Sequence, residues 1–276
     1  MLDVKKYDNI KEIYKLEFKR EGKTLRKIFT GSTLKIIAVL SMTLDHFSKI
    51  ILKDGIILNA PYSMFTDAQF NILMTLSDVF SILGRIAFPI FCFLLVEGFL
   101  HTHDLKRYFL NLGIFAIISE PVYDLAIAGT AVSFKQQNVL FTLLLGLGVL
   151  VLVKKIKQNI IGPIIIIFLG AVISFICKLD GWYYGICLIA VFYLFHDKTA
   201  LKNILAVLVM YVCGLDFSIW GLIEPNFLLA LTSLIFINLY NGQRGIKMKY
   251  FFYWFYPTHL FLFFLISNYI VIPMVS

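Results

Sequence analysis

Charge is scarce in this chain: Asp, Glu, Lys and Arg make up 15% of its 276 residues, where soluble domains carry about a quarter. That shortage excludes an ordinary water-facing surface. Cysteine is sparse too, and Cys92, Cys177, Cys187 and Cys213 form no CxxC pair, so they read as small buried hydrophobes. The five histidines offer no HExxH or comparably tight spacing, which argues against a zinc site or any other metal centre. Soluble domains, internal repeats, low-complexity linkers and two-residue apolar alternation are all missing. Residues 1–33 have no early apolar core, so no secretory signal is expected there.

Apolar residues fill the space that charge leaves. They make up 59% of the chain, and its mean hydropathy is +0.83. That is too much apolar surface for one water-enclosed core. Lipid admits only structures whose backbone groups pair internally, and long apolar runs without alternation select helices over strands. The expected fold is therefore all-α, a polytopic transmembrane bundle. Windows of about 20 residues place nine spans near 34–52, 80–100, 106–128, 138–153, 160–177, 181–196, 201–214, 218–240 and 251–274, with residues 66–79 as a re-entrant segment or tenth helix. Residues 1–33 form a basic arm in which Ile10, Ile13, Tyr14, Leu16 and Phe18 among lysines suggest an interfacial helix, and 34–276 form the membrane domain.

The formal net charge of +8 invites a nucleic-acid reading, but the placement of the charge argues for topology. With the amino terminus inside, twenty of the 25 Lys and Arg fall in cytoplasmic segments. Four (Lys49, Lys53, Lys135 and Lys178) fall in outer loops, and Arg85 lies within a span. This is the positive-inside bias of a cytoplasmic-membrane protein, and no nucleic-acid partner is expected.

A charge at bilayer depth costs about 3 kcal/mol by insertion scales, so each intramembrane ionisable group is a functional candidate. Asp45, His46, Arg85, Glu120, Gln137 and Asn138 all compute to the outer half of the membrane. His259 is expected nearer the inner half, and Glu97 and Asp124 at solvated interfaces. Asp45 and His46 are adjacent on one helix and diverge by about 100°, so their partners must come from other helices: Asp45 with Arg85 and Glu120 orienting His46, or the reverse pairing. Pro89, Pro121 and Pro257 fall beside these residues and break intrahelical bonds, as in helices that line cavities. His101, His103 and His196 read as surface residues. On the inner side, Asn241, Arg244, Lys247 and Lys249, with glycines at 242 and 245, form a loop able to hold a phosphorylated cofactor; positive-inside topology explains the same charges.

These residues resemble TraX-type proteins. The likeness rests on Leu34–Ala38 with Met42, Asp45 and His46; Gly84–Pro89 with Glu97 and Gly98; and Ser119–Pro121. It continues through Gln137–Val139 with Phe141–Leu143, Tyr240–Gly242 with Arg244 and Gly245, and Tyr256–Leu260. The resemblance implies a bacterial membrane acetyltransferase of the kind associated with acetylation of conjugative pilin, within the wider group of transmembrane acyltransferases. Acetyl-CoA would be the co-substrate, and a protein amino terminus or an envelope glycan the acceptor at the outer face. A first-helix histidine is taken as catalytic in that wider group and maps onto His46. Asp45, Glu120 and Arg85 would assist it, with Gln137 and Asn138 beside the acceptor. Asn241, Arg244, Lys247, Lys249, Tyr256 and His259 would line the path of the CoA arm. The rival expectation is a proton-coupled transporter using the same buried Asp, His, Glu and Arg.

Overall fold

The computed structural model describes residues 27–156, 161–214 and 219–276; the interfacial helix expected near residues 10–18 lies outside them. Among the described residues the chain is helical, with only isolated bridges in place of strands. The helices are α1 (Gly31–His46), α2 (Asp67–Gly84), α3 (Ala87–His101), α4 (Leu105–Ala128), α5 (Val139–Lys155), α6 (Ile161–Ile176), α7 (Trp182–Leu194), α8 (Thr199–Gly214), α9 (Pro225–Asn238) and α10 (Lys249–Ile266). α1 continues without a break into a wider π-helical stretch, Phe47–Ile57, and α10 into another, Ser267–Val271, followed by a last turn, Ile272–Val275. The two stretches are tied by the Ser267 hydroxyl, which donates to the Ile50 carbonyl at 3.0 Å.

Among the described residues the chain traverses the bundle nine times, and contacts near the turns sort them into two ends. At one end the strand-like residue Phe29 bridges Tyr240, Glu97 meets His196 and Arg107 reaches Tyr250. At the other, Gln137 bridges Leu179 and Arg85 bonds Asn226. Three helical runs, 67–101, 105–128 and 250–275, are long and apolar enough to cross a membrane by themselves. The apolar helices α6 to α9 are shorter, down to the 13 residues of α7.

The second traverse differs from the span expected at 80–100. It is a 35-residue run from Asp67 to His101, about 50 Å long at 1.5 Å per residue. The Thr66–Gln69 capping box opens it. Its interruption lies at Arg85 and Ile86, where the backbone falls back on three-residue bonds to Ile82 and Leu83. Pro89, in the first turn of α3, supplies no amide to carry α2 through. α1 packs along both α2 and α3, α4 along α10, and α5, α6, α7 and α8 pack in sequence, with α3 reaching α7. Close approach of α1 to this break depends on Gly84, whose missing Cβ would collide with Asp45. The core runs through the half of the bundle nearer the Phe29–Tyr240 end, where Leu34, Ala38, Ile90, Val96, Phe192, Ala206 and Ile237 are almost entirely buried.

Candidate active site

His46 is the last residue of α1 and is 7% exposed. Its Nδ1 lies 2.7 Å from Nε2 of His259, which belongs to α10. His259 is equally buried, and its Nδ1 stands 2.7 Å from the Phe255 carbonyl oxygen. A carbonyl only accepts, so this Nδ1 carries the proton, and in the neutral ring Nε2 is left as an acceptor. His46 therefore donates from Nδ1, and its own Nε2 keeps a free lone pair. Phe255 stacks on the His259 ring at 4.9 Å between centroids and Phe263 meets it edge-on, which fixes the plane of the ring. The expected inner-half position of His259 is thereby corrected: it shares the depth of His46.

His46 forms part of the wall of a cavity of about 730 Å³, together with Asp45, Lys49, Arg85, Gln136, Asp180, Tyr184, Glu224, Asn226 and Tyr256. The Asp45 carboxylate is nearest to Lys49, at 2.6 Å, and stands 4.0 Å from Arg85. The Arg85 guanidinium donates to the Asn226 side-chain oxygen at 3.2 Å and to the Ser81 hydroxyl at 3.3 Å. Asn226 in turn donates to Glu224 at 2.6 Å. Phe175, Trp182 and Tyr183, all exposed, stand on the outer rim.

Glu120 does not orient His46. Its carboxylate accepts from the Asn138 backbone at 3.0 Å and from the Asn138 side chain. Asn138, fully buried, also donates to the Ala116 carbonyl and caps α5 by accepting from Leu140, so it joins α4 to α5 and does not line the cavity. Gln137 points back to the Ser133 carbonyl. The side chains that reach the cavity from this side are Gln136 and Asp180, which bond each other at 3.0 Å. The turn carrying Asp180 holds Lys178 and Trp182 at φ of 52° and 47° and Gly181 at 89°. Lys178 and Trp182, left-handed without being glycine, are strained backbone of the kind that collects at functional sites, while Gly181 adopts its angle freely. Burial pushes the Asp180 carboxyl above its ordinary range, with Asp45 adding to the rise and Lys49 and Arg85 opposing it. Asp45 and His46 carried an intramembrane signal; Asp180 and Gln136 did not, because both fall in loops.

The 240–249 loop is pinned on the opposite end. The Gly31 and Ser32 amides donate to the carbonyls of Gln243 and Arg244, and Gly245, at φ 72°, leaves no room for a Cβ against Thr30 and Ser32. Arg244 and Lys247 are exposed there and Asn241 half-buried, and the backbone of Lys249 opens α10. The wall around His46 extends in that direction to Met42, Phe91, Met210 and Ala230 and includes none of the loop residues; of the residues expected on the CoA path, Tyr256 alone lines it.

Glu97 and Asp124 are buried, at 7% and 2% exposure, and do not lie at a solvated interface. Asp124 accepts from the Ser133 amide at 2.7 Å. Glu97 meets His196 Nε2 at 2.6 Å and the Tyr240 hydroxyl, so His196 is a partner to a buried carboxylate. Among the described residues no group of three His, Cys, Asp or Glu side chains is arranged to hold a metal.

The profile of the TraX protein family matches residues 30–267. The chain belongs to the TraX family. It is also 27% identical over 251 residues to the probable fimbrial assembly protein FimC, serogroup H1, of Dichelobacter nodosus, covering 85% of this chain and 94% of that protein. No solved structure matches. This TraX-family chain is thus a helical membrane protein with a buried histidine pair beside a cavity at one end of the bundle.

Proposed function

We propose that this protein is an acetyl-CoA-dependent membrane acetyltransferase that uses His46 as general base toward an amine or hydroxyl acceptor at the outer side of a bacterial cytoplasmic membrane. The observation carrying this reading is the commitment of His46 Nδ1 to His259, which leaves Nε2 available in a cavity wall. Nε2 takes the acceptor's proton as its nitrogen or oxygen attacks the thioester carbonyl; the C–S bond then breaks and the CoA thiolate leaves. Arg85 and Lys49 supply positive charge where the oxyanion develops. The Lys- and Arg-rich end of the bundle is taken as cytoplasmic. The thioester then comes from that side through the packed inner core, which must part along α1, α3, α8 and α9 during turnover. The fimbrial role in the relative's name favours a surface-appendage subunit as acceptor.

The test is release of CoA from acetyl-CoA by the purified, detergent-solubilised protein. His46→Ala is expected to lose between about 10² and 10⁴ of the rate, the usual contribution of a positioned base. Equal turnover by the variant ends the assignment.

A further inference from the structure

A second polar cluster lies at the lysine-rich end of the bundle. At its centre is Lys202, in the first turn of α8, 7% exposed. Among the described residues its ammonium meets only the face of Phe93, 5.5 Å from the ring centroid. An aromatic face supplies about 2 kcal/mol to a desolvated cation at best, well short of what an ion loses on leaving water. Glu97 lies within electrostatic reach, but its carboxylate is engaged by His196 at 2.6 Å and by Tyr240. A second cation, Lys27, is close enough to act against the charge of Lys202, and Lys198 stands one turn earlier. The positive end of α8, a helix of 16 residues, adds its free amides at the same place.

A nine-tenths-buried lysine with no carboxylate in ion-pair contact, within electrostatic reach of a second lysine and in the first turn of a helix, lacks a contacting anion. We propose that Lys202 and Lys27, with the first turn of α8, form a binding site for a phosphate group carried by a cytosolic ligand. A phosphate there gives Lys202 the charge-assisted bonds that Phe93 cannot and offsets the repulsion between the lysines. Glu97 stays on His196, so the site admits an anion without expelling a carboxylate. The site itself is independent of the acetyltransferase reading; equating its phosphate with those of CoA rests on that reading. In that case the CoA headgroup sits at α8, and the 240–249 loop frames the site and does not hold it.

The experiment measures binding of inorganic pyrophosphate to the full chain in detergent by calorimetry at constant ionic strength, and repeats it in nanodiscs of phosphatidylcholine with and without phosphatidylglycerol. Lys202→Met is expected to weaken binding at least tenfold and Lys202→Arg by less than threefold, while Lys106→Met, a surface lysine at the same end, leaves it unchanged. No pyrophosphate binding by the wild-type chain, or equal binding by Lys202→Met, overturns the proposal. Loss of pyrophosphate binding by the wild-type chain on adding phosphatidylglycerol, with binding retained in phosphatidylcholine alone, assigns the phosphate to a lipid headgroup and overturns a cytosolic ligand. Failure of His46→Ala to alter CoA release strikes the acetyltransferase reading and leaves the pyrophosphate result standing.

Discussion

Two polar clusters occupy opposite ends of this bundle, and they differ in what surrounds them. The outer one, around His46, Asp45, Arg85 and Asp180, borders a cavity of about 730 Å³. The inner one, around Glu97, His196 and Lys202, is walled by Phe93 and the packed core. The helices explain the difference. On the outer side the second traverse breaks at Arg85 and Ile86, and α6 to α9, each only 13 to 16 residues long, end around a hollow. On the inner side α1, α3, α7, α8 and α9 converge on large apolar side chains. Polar groups at membrane depth thus border a cavity where helices stop, and are enclosed by packed side chains where helices continue.

The contrast is broken most sharply at the histidine pair. His259→Phe keeps an aromatic ring beside Phe255 but removes the acceptor for His46 Nδ1, freeing the imidazole to turn. Misplacement of a catalytic group by about 1 Å costs on the order of 10²-fold, and CoA release is expected to fall by that order. His259→Gln, whose side-chain oxygen can still accept, should recover part of the loss. A His259→Phe protein as fast as wild type shows that the pair is packing alone. Next in size is Gly84→Val. Its new methyl groups meet the Asp45 side chain, so the contact between α1 and the helix break must open. Overpacking of this kind costs about 1–3 kcal/mol, read as a lower melting temperature; an unchanged melt shows that α1 and α2 yield freely. Asn138→Ala removes the α5 cap and the side-chain donor to Glu120 and Ala116, leaving the backbone bond to Glu120, and is expected to cost about 1–2 kcal/mol. Thermal melting checks it, and a neutral result there would return Asn138 to the list of acceptor-binding residues.

Hydropathy and capping made most of the bundle legible. The traverses from α4 to α10 fall close to the expected windows because each is a nearly pure apolar run. α2 was harder to see: Asp67, Gln69, Asn71 and Asp78 dilute its hydropathy, and the Thr66–Gln69 box is the local signal that marks its start. His46 was legible through its cost in lipid and through the family likeness. Its partner was not, since 213 residues separate His46 from His259, and residue counting alone put the two at different depths. His46 lies 15 residues beyond the start of α1 at Gly31 and His259 ten beyond the start of α10 at Lys249, so the two helices start at different levels and counting from their starts does not give a common depth. Lys202 was assigned to topology with the other inner lysines; its burial depends on the packing of α3 against neighbours distant in sequence, which no local pattern encodes.

The smallest expected effect concerns Asp180, which links the strained 178–182 turn to the cavity. Its carboxyl is raised by burial, so the folded chain holds this proton more tightly than the unfolded chain does. Stability from this group is greatest below the unfolded value near 3.8 and declines as pH rises through the raised folded value, beyond which the ionised group is a constant burden. Asp180→Asn keeps an acceptor for Gln136 but has no proton to lose. Melting temperatures taken from about pH 4 to pH 8 should therefore fall less with rising pH in the variant than in the wild-type chain, and the variant should be the more stable of the two at neutral pH. Parallel curves would show that Lys49 and Arg85 fully offset the burial of Asp180, making the outer chamber a charge-balanced pocket and leaving the inner lysine cluster as the single end of the bundle with unmatched charge.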